Sequence, residues 1–292
     1  MPLALSYGVS DEYSPLKRVL VRRPGPEFQD MDEYRKWGYP GIPDLALAQR
    51  EHDQFTDILR AEGVEVIYQE QVHPKKREPL FTRDASIMTP KGAIICRPGH
   101  PLRRGEEEYA ARTLASLGIP ILYTVHGEAT IDGGDTLWLD PDTFLIGHSY
   151  RTNHAAFRQI KTVMEGFVTE RVIQIPLPHY EGRDHVLHLM SVISPVDRDL
   201  AVVYPKLAPI ILLELLEERG IKTIAVPDEE FDTLGPNVLA IAPRVVVMHS
   251  GNPVTKQRLL EHGCRVLEYR GQQISLIPMG GPTCLTRPIL RE

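Results

Sequence analysis

Polar residues that could do chemistry recur along this chain at intervals of 47 to 56 residues. They are Asp84, Asp132, His188, Asn237 and Cys284. The set contains a thiol that could act as a nucleophile, a histidine that could transfer protons and two carboxylates. Because equivalent positions of a closed repeat converge on its axis, the spacing predicts that these side chains meet at one site.

Within that set, Cys284 is the candidate nucleophile. A thiol reacts as the thiolate, and it needs a cation or a histidine nearby to ionise near neutral pH. In a ring of repeats, His188 would stand close to Cys284, and Asp132 would orient the histidine and stabilise its charged form. Taken alone, His188 between two leucines is more typical of a core histidine, and its shared repeat position is what favours catalysis.

The carboxylates indicate the kind of substrate. Asp84 would favour a cationic group with planar N–H donors, and Gly133 and Gly134 make the backbone compact enough for Asp132 and Asp135 to face inward. Such a site suits attack of a thiolate on a guanidinium carbon. The histidine would protonate the leaving amine and then activate water against the covalent thiouronium.

The elements that position these residues follow a ββαβ pattern repeated five times. In the second repeat the pattern predicts strands at 86–88, 93–97 and 119–123 and a helix at 106–117, which Gly118 ends. The third to fifth repeats predict strands at 136–139, 143–147, 191–194, 200–204, 221–226, 238–241, 245–248 and 264–269, with helices at about 153–166, at 208–219 and before Gly263.

The first repeat is split between the two ends of the chain. Its helix (about 46–61) and closing strand (64–68) lie near the start, but an opening strand is found only at 285–290. Pairing of 285–290 with 17–22 would close the ring and leave no free sheet edge. We therefore predict a single α/β domain over 1–292, built as a ring of five units around a central site, and prefer it to a doubly wound sheet.

Composition bounds the class of protein. The 292 residues are 42% hydrophobic, with a net charge of −6 and scattered Lys and Arg residues, so we expect no nucleic-acid partner. No apolar run is long enough to cross a bilayer and no signal peptide is recognisable, so no membrane association and a cytoplasmic location are expected.

The three cysteines predict neither a disulfide framework nor a metal site, and Cys96 and Cys264 are expected to be inert core thiols. A Pro/Gly-rich loop at 24–43 is a candidate lid.

Six ordered motifs carry a family resemblance. They lie at 81–84 (FTRD), 97–104 (RPGHPLRR), 129–135 (ATIDGGD), 151–153 (RTN), 187–191 (LHLMS) and 280–284 (GGPTC). On these motifs the chain resembles the dimethylarginine dimethylaminohydrolase and arginine deiminase superfamily, whose members are five-bladed α/β propellers (penteins) that modify guanidino groups.

The resemblance implies roles for individual residues. Cys284 would be the nucleophile, His188 the general acid and base, and Asp132 its carboxylate partner. The residues assigned to substrate binding are Asp84 for the guanidinium, Arg103 and Arg151 for the α-carboxylate, Glu78 for the α-amino group, and Asp135. The resemblance implies no cofactor and no metal; the expected partner is a small guanidino substrate, with a homodimer as the oligomeric state to test.

Two departures from the family motifs leave the choice between methylated and free arginine as substrate undecided. Arg83 and the Gly-Gly-Pro-Thr-Cys motif are closer to the deiminases, whereas Met190 stands where deiminases have a second aspartate. A hydrolase of the dimethylarginine type, giving citrulline and an amine or ammonia, is the first choice, and a deiminase for free arginine is the nearest alternative. An amidinotransferase and a non-catalytic binding propeller are the remaining hypotheses.

Overall fold

The computed structural model describes residues 6–28, 39–69, 80–183, 185 and 187–292, and within them the chain forms five separate three-stranded sheets. The strands are β1 Leu16–Val21, β2 Glu65–Tyr68, β3 Ser86–Thr89, β4 Gly92–Ile95, β5 Ile121–Thr124, β6 Thr136–Asp140, β7 Thr143–His148, β8 Arg171–Pro176, β9 Ile193–Asp197, β10 Leu200–Val203, β11 Lys222–Ala225, β12 Val238–Ala242, β13 Val245–His249, β14 Arg265–Tyr269 and β15 Arg287–Arg291. The α-helices are α1 Leu45–Ala61, α2 Glu106–Ser116, α3 His154–Met164, α4 Ile210–Glu218 and α5 Pro253–Glu261.

All five sheets have the same construction. A middle strand pairs antiparallel with a first strand and parallel with a third, and the α-helix of the unit connects the middle strand to the third. A parallel connection needs such a crossover, whereas the antiparallel pair can be joined by a tight turn. The predicted ββαβ repeat is thus present five times, and a single doubly wound sheet is not formed.

The first sheet joins the two ends of the chain. Strand β15 pairs antiparallel with β1, placing Pro288 opposite Val19 and Leu290 opposite Arg18, and β1 pairs parallel with β2. Gly8 adds a further bridge to Leu290. The predicted pairing of the last strand with the first repeat is therefore present, although β15 begins two residues later than the predicted strand at 285.

Helix boundaries follow local capping chemistry. Helix α1 starts after Asp44, whose side chain accepts a hydrogen bond from the Leu47 amide at 2.8 Å, and α3 starts after Asn153, which caps Ala156 at 3.0 Å. Each of the five helices is followed by a glycine in the left-handed region, with φ between 66° and 81°. These are the glycines from which the helix ends were predicted: Gly63, Gly118, Gly166, Gly220 and Gly263.

The fourth unit differs most from its prediction. A strand was expected at 191–194, but Leu189–Ser191 is a 3-10 turn and β9 begins only at Ile193. The turn forms because the Ser191 amide donates to the His188 carbonyl at 2.9 Å while the Ser191 hydroxyl accepts from the His188 amide at 3.3 Å. This turn fixes the backbone of His188 at the start of its unit.

Buried side chains fill the space between neighbouring sheets. Trp138 on β6 donates its indole N–H to the Met88 carbonyl on β3 at 3.0 Å, which joins the second and third units. Ile289 on β15 belongs to the same buried cluster as Trp138 and Ile87, so the last strand packs with those units as well. In the part of the chain that the structure describes, no helix is long and apolar enough to cross a bilayer.

Candidate active site

The candidate residues occupy equivalent places in the fold. Each lies just before the first strand of its sheet: Asp84 before β3, Asp132 before β6, His188 before β9, Asn237 before β12 and Cys284 before β15. Contacts between units bring them together, because His188 reaches Asp132 and Asn237 reaches Cys284. The predicted convergence of the repeat positions is therefore observed.

His188 and Asp132 form a buried pair. The His188 Nε2 atom is 3.3 Å from Asp132 Oδ2, and the Gly99 amide donates to the other oxygen of Asp132 at 2.9 Å. Burial alone would lower the pKa of His188, but the charges of Asp135, Asp84 and Asp132 outweigh it and raise that pKa to about 9. Burial alone would raise the pKa of Asp132, but its hydrogen bond and charge interaction with His188 lower it to about 2.

Asp84 lies on the other side of the imidazole. Its Oδ1 accepts a hydrogen bond from the Gly134 amide at 2.9 Å and is 3.9 Å from His188 Nδ1. Its Oδ2 accepts a hydrogen bond from Arg103 Nη1 at 2.6 Å, and Arg103 also donates to Glu106 at 3.0 Å. Asp84 is therefore held between a backbone amide and a buried guanidinium.

Cys284 is half-buried and faces a cavity of about 90 Å³ that His188 also lines. Burial and the charge of Asp84 raise the pKa of the thiol to about 11, against smaller opposing effects that include those of the Gly281 amide and Arg83. Cys96 and Cys264 are buried beside strand ends, and burial raises the pKa of each thiol. Of the three thiols, Cys284 is the one that shares a cavity with the His188 imidazole.

Two glycines allow the histidine and the carboxylates to approach each other. A Cβ atom on Gly134 would lie 2.5 Å from His188 Nδ1 and 2.8 Å from Asp84 Oδ1. A Cβ atom on Gly133 would lie 2.1 Å from the Arg83 carbonyl oxygen. The compact backbone expected of this motif is thus required by its neighbours.

Asp135 occupies a different position from the other carboxylates. Its Oδ1 accepts from the Leu189 amide at 3.1 Å and its Oδ2 from the Ser149 hydroxyl at 2.6 Å, and it is fully buried. Burial raises the pKa of Asp135 to about 6. Its hydrogen bonds therefore connect it to the turn after His188 and to the loop before Arg151.

The residues assigned to the substrate carboxylate are placed as follows. Arg103 is paired with Asp84, and Arg151 Nη1 is 3.8 Å from Asp132 Oδ2. Arg151 also lines a cavity of about 250 Å³ whose other walls include His148, Tyr150 and His179. Glu78 and half of the candidate lid at 24–43, namely residues 29–38, lie outside the described residues.

Sequence reasoning missed several residues that line the Cys284 cavity. Tyr180, Phe231 and Asp232 come from loops before β9 and β12. Loop side chains follow no repeat, so no periodic signal marks them. Asn237 did stand at a repeat position, but no role was assigned to it. Among the described residues, no group of three His, Cys, Asp or Glu side chains could hold a metal ion.

A half-buried thiol, a buried histidine–carboxylate pair and a second carboxylate lie at the openings of four of the five ββαβ units, which is typical of the class of α/β enzymes that modify guanidino groups. The sequence model of the family described as "N,N dimethylarginine dimethylhydrolase, eukaryotic" matches residues 34–291. The chain therefore belongs to this family, within the superfamily of guanidino-group hydrolases that includes the arginine deiminases.

Individual relatives agree with that assignment. The uncharacterized protein YkgA of Bacillus subtilis is 28% identical over 283 residues, covering 96% of this chain and 94% of the relative. Arginine deiminase of Oenococcus oeni is 25% identical over 405 aligned positions, covering 97% of both chains. The structure of a mutant dimethylarginine dimethylaminohydrolase of Pseudomonas aeruginosa, complexed with citrulline, superposes with a TM-score of 0.76 at 23% identity, covering 95% of this chain and 100% of that one. The structural likeness shows a shared fold.

Proposed function

We propose that this protein is a cysteine hydrolase of the dimethylarginine dimethylaminohydrolase type, converting an Nω-substituted or free arginine to citrulline with release of an amine or ammonia. The observation that carries the proposal is the cavity that Cys284 and His188 share, next to Asp132 and Asp84. A non-catalytic binding protein would have no use for this combination. Absence of product from every compound in the experiment below would support that hypothesis instead.

The first half-reaction begins with ionisation of Cys284. Its thiol is protonated at neutral pH because burial and the negative charge of Asp84 oppose the thiolate. A substrate guanidinium beside Asp84, whose Oδ2 already accepts a hydrogen bond from Arg103, would add a positive charge near the sulfur and lower the pKa of the thiol. The cationic substrate itself would thus promote formation of the nucleophile. The thiol proton passes to the solvent, and the thiolate adds to the guanidinium carbon, forming the C–S bond as the electron pair of one C=N bond moves onto its nitrogen.

His188 serves both half-reactions in this proposal. Its pKa of about 9 keeps the imidazole protonated at neutral pH, so it can donate a proton to the departing nitrogen as the C–N bond breaks. The resulting neutral imidazole takes a proton from water, whose oxygen attacks the thiouronium carbon. The C–S bond then breaks as the C=O bond forms and the remaining hydroxyl proton passes to the solvent, so that the ureido product leaves and the thiolate is regenerated.

We also propose that the five sheets close into a five-bladed α/β propeller around this site. Pairing of β15 with β1 supports closure at the chain ends, and the bond from Trp138 to Met88 supports the junction of the second and third units. The bond from Ser194 to the Pro236 carbonyl at 2.7 Å supports the junction of the fourth and fifth. Such closure would hold the repeat positions at a common axis.

The nearest alternative is an arginine deiminase, and Arg83 is the observation that favours it. Arg83 donates to the Thr283 carbonyl at 3.0 Å and pairs with buried Glu12 at 3.3 Å. The positive charge of Arg83 is therefore balanced by Glu12 and not by Asp84. Met190, buried where a deiminase would have a second aspartate, argues in the other direction. An amidinotransferase would need a second amine site, which we do not identify in the described residues.

A substrate panel decides among these functions. We expect incubation with monomethylarginine, dimethylarginine, free arginine and agmatine to yield a ureido product and an amine or ammonia from at least one of the arginines. The Cys284→Ser variant should lose turnover while keeping its fold, and the matched variants Cys96→Ser and Cys264→Ser should retain it when folded. Retained turnover in Cys284→Ser would exclude the thiol mechanism. Turnover of free arginine alone would establish the deiminase, and transfer to an added amine would establish the amidinotransferase.

The proposed enzyme is expected in the cytoplasm. All three of its cysteines are free thiols, which is typical of proteins kept in a reducing compartment.

A further inference from the structure

Asn237 is the one repeat-position residue to which the mechanism gives no task, although it touches the sulfur of Cys284. Its Nδ2 atom lies 3.6 Å from Cys284 Sγ and 3.4 Å from the Met190 carbonyl oxygen. The side chain is buried, with 4% of its surface exposed. A buried amide at a nucleophile needs an explanation, because a buried polar group is stable only where its hydrogen bonds are made.

The orientation of this amide is fixed by Thr283. The Thr283 backbone amide is 3.0 Å from Asn237 Oδ1 and the Thr283 hydroxyl is 2.8 Å from the same atom. A backbone N–H can only donate, so the atom facing it must be the oxygen of Asn237. The NH₂ group is then directed towards Met190 and the sulfur.

Other hydroxyl and amide groups do not replace this donor. The Thr283 hydroxyl is 3.9 Å from Cys284 Sγ, but it has a single hydrogen, which goes to Asn237 Oδ1. The Gly281 amide does act on the sulfur and lowers the pKa of the thiol. Asn237 would thus be the second donor, on a different unit of the fold.

The loop before Cys284 is built around this amide. A Cβ atom on Gly281 would lie 2.3 Å from Asn237 Oδ1, 2.5 Å from its Cγ and 2.7 Å from its Cβ. Only a glycine at this position lets the loop close over the asparagine. The close packing of the Asn237 side chain therefore explains why the second position of the Gly-Gly-Pro-Thr-Cys motif, Gly281, is a glycine.

We propose that Asn237 is a further catalytic residue, whose Nδ2–H donates a hydrogen bond to the sulfur of Cys284 and stabilises its thiolate form. The assignment rests on the proposed function, because it gives Cys284 the role of nucleophile. The charged and titratable groups around the thiol include Asp84, Arg83, His188 and Tyr269, with Asp232, His185, Glu181 and Tyr180 on the same cavity wall. Asn237 differs from all of them in offering a neutral donor whose state does not change with pH.

The Asn237→Asp variant separates donation from mere anchoring. Its carboxylate can still accept both hydrogen bonds from Thr283, but above about pH 6 it has no hydrogen to give the sulfur. We expect kcat/KM to fall about 10- to 150-fold, the range for losing a hydrogen bond to a charged group. We also expect iodoacetamide alkylation of Cys284 at a fixed pH of about 8 to slow by roughly tenfold or more, because a thiol pKa raised by one unit leaves about one tenth as much thiolate.

Peptide mass spectrometry reports the alkylation of Cys284 separately from that of Cys96 and Cys264. Asn237→Ala adds no charge, so slower alkylation of Cys284 in this variant too would assign the effect to the lost hydrogen-bond donor. Asn237→Ala also provides the test if Asn237→Asp does not fold. Asn252→Asp is the matched control, because Asn252 is a buried asparagine of the same unit that donates to the Thr233 and His249 carbonyls at 2.9 Å. It should leave the alkylation rate of Cys284 unchanged.

Wild-type alkylation and turnover in Asn237→Asp would overturn the assignment and leave Asn237 as an anchor for Thr283. The alkylation measurement needs no substrate, so this result is distinct from failure of the proposed function. That failure would instead appear as retained turnover in Cys284→Ser.

Discussion

The acid–base character of single residues around His188 depends on carboxylates that the repeat brings to it. Asp132 is within hydrogen-bond distance, Asp84 is 3.9 Å from the other ring nitrogen, and Asp135 holds the turn behind it. Their summed charge raises the pKa of an imidazole that burial alone would keep neutral. The same charge makes the folding stability of the protein depend on pH.

We predict that His188 makes the protein less stable as the pH rises above neutrality. Below pH 6.5 the imidazole is protonated in the folded and unfolded states, so its stabilising interactions are fully present. Between pH 6.5 and about 9 the unfolded state loses the proton first, and the contribution of up to roughly 3 kcal/mol disappears. Urea unfolding at stepped pH should show this loss in the wild type and not in His188→Gln. Parallel stability curves for the two proteins would contradict the raised pKa.

Arg151 carries a second prediction, about recognition of the substrate. It lines the 250 Å³ cavity beside the Cys284 cavity, and Tyr180 and His185 line both. If Arg151 binds the α-carboxylate, agmatine should be a poorer substrate than the best arginine-type compound by roughly 30- to 1000-fold, since charge-assisted bonds are lost.

The variant Arg151→Ala should lower kcat/KM for the arginine-type compound by a similar factor and change agmatine little. Arg183→Ala is the matched control, because Arg183 lies over the Tyr150 ring at 5.1 Å without lining the cavity. Equal kcat/KM values for agmatine and the arginine-type compound in the wild type would show that Arg151 does not bind the α-carboxylate.

The sequence predicts the position of a residue in the repeat better than the direction of its side chain. The repeat period alone brought His188 to Asp132 and Cys284, because a period fixes equivalent backbone positions. It could not show that Arg103 would pair with Asp84, since that depends on the direction of a long side chain at the end of a 3-10 turn. The burial of Asp135 behind His188 was likewise a matter of side-chain direction.

At the scale of elements, the strands and helices were predictable and the turns that hold the site were only partly so. Apolar periodicity and helix-ending glycines gave four helices to within two residues at each end, and they gave the end of the fifth helix but not its start. The strand predicted at 191–194 starts two residues before β9, because a short apolar stretch carries no sign that Ser191 will close a turn on His188. Turn geometry needed the tertiary contacts that surround it.

The turn before β6 supports a prediction at this scale. A methyl group at Gly134 would lie 2.5 Å from the His188 ring, so Gly134→Ala should displace His188 or Asp84 and leave the β6–β7 pair intact. We expect turnover to fall by at least roughly 100-fold, because small misplacement of catalytic groups costs this much. Gly41→Ala is the control, since no atom lies within 4 Å of its added methyl group. Wild-type kcat in folded Gly134→Ala would show that close approach is not needed.

For the whole molecule, the decisive question is whether the first and last strands close the fold into one cooperative unit. Strand β15 pairs with β1, and its Ile289 is fully buried in the cluster that contains Trp138 of the third unit. Contacts of this kind join residues that are far apart in the sequence, so the loss of one should lower the stability of units far from the C-terminal strand. An open chain of units would instead unfold locally from its ends.

We predict that Ile289→Ala lowers the free energy of unfolding by about 2 to 5 kcal/mol, the usual cost of an isoleucine cavity in a core. In a Trp37→Phe background, Trp138 becomes the single tryptophan and reports on the third unit, while far-UV circular dichroism reports on the whole chain. Closure requires both probes to shift to lower urea concentration together. Ile210→Ala, on the outer face of α4 with 75% of its surface exposed, should shift neither. A circular dichroism curve that splits into two steps, with the Trp138 transition unmoved, would mean that β15 frays by itself and that the ring is not closed.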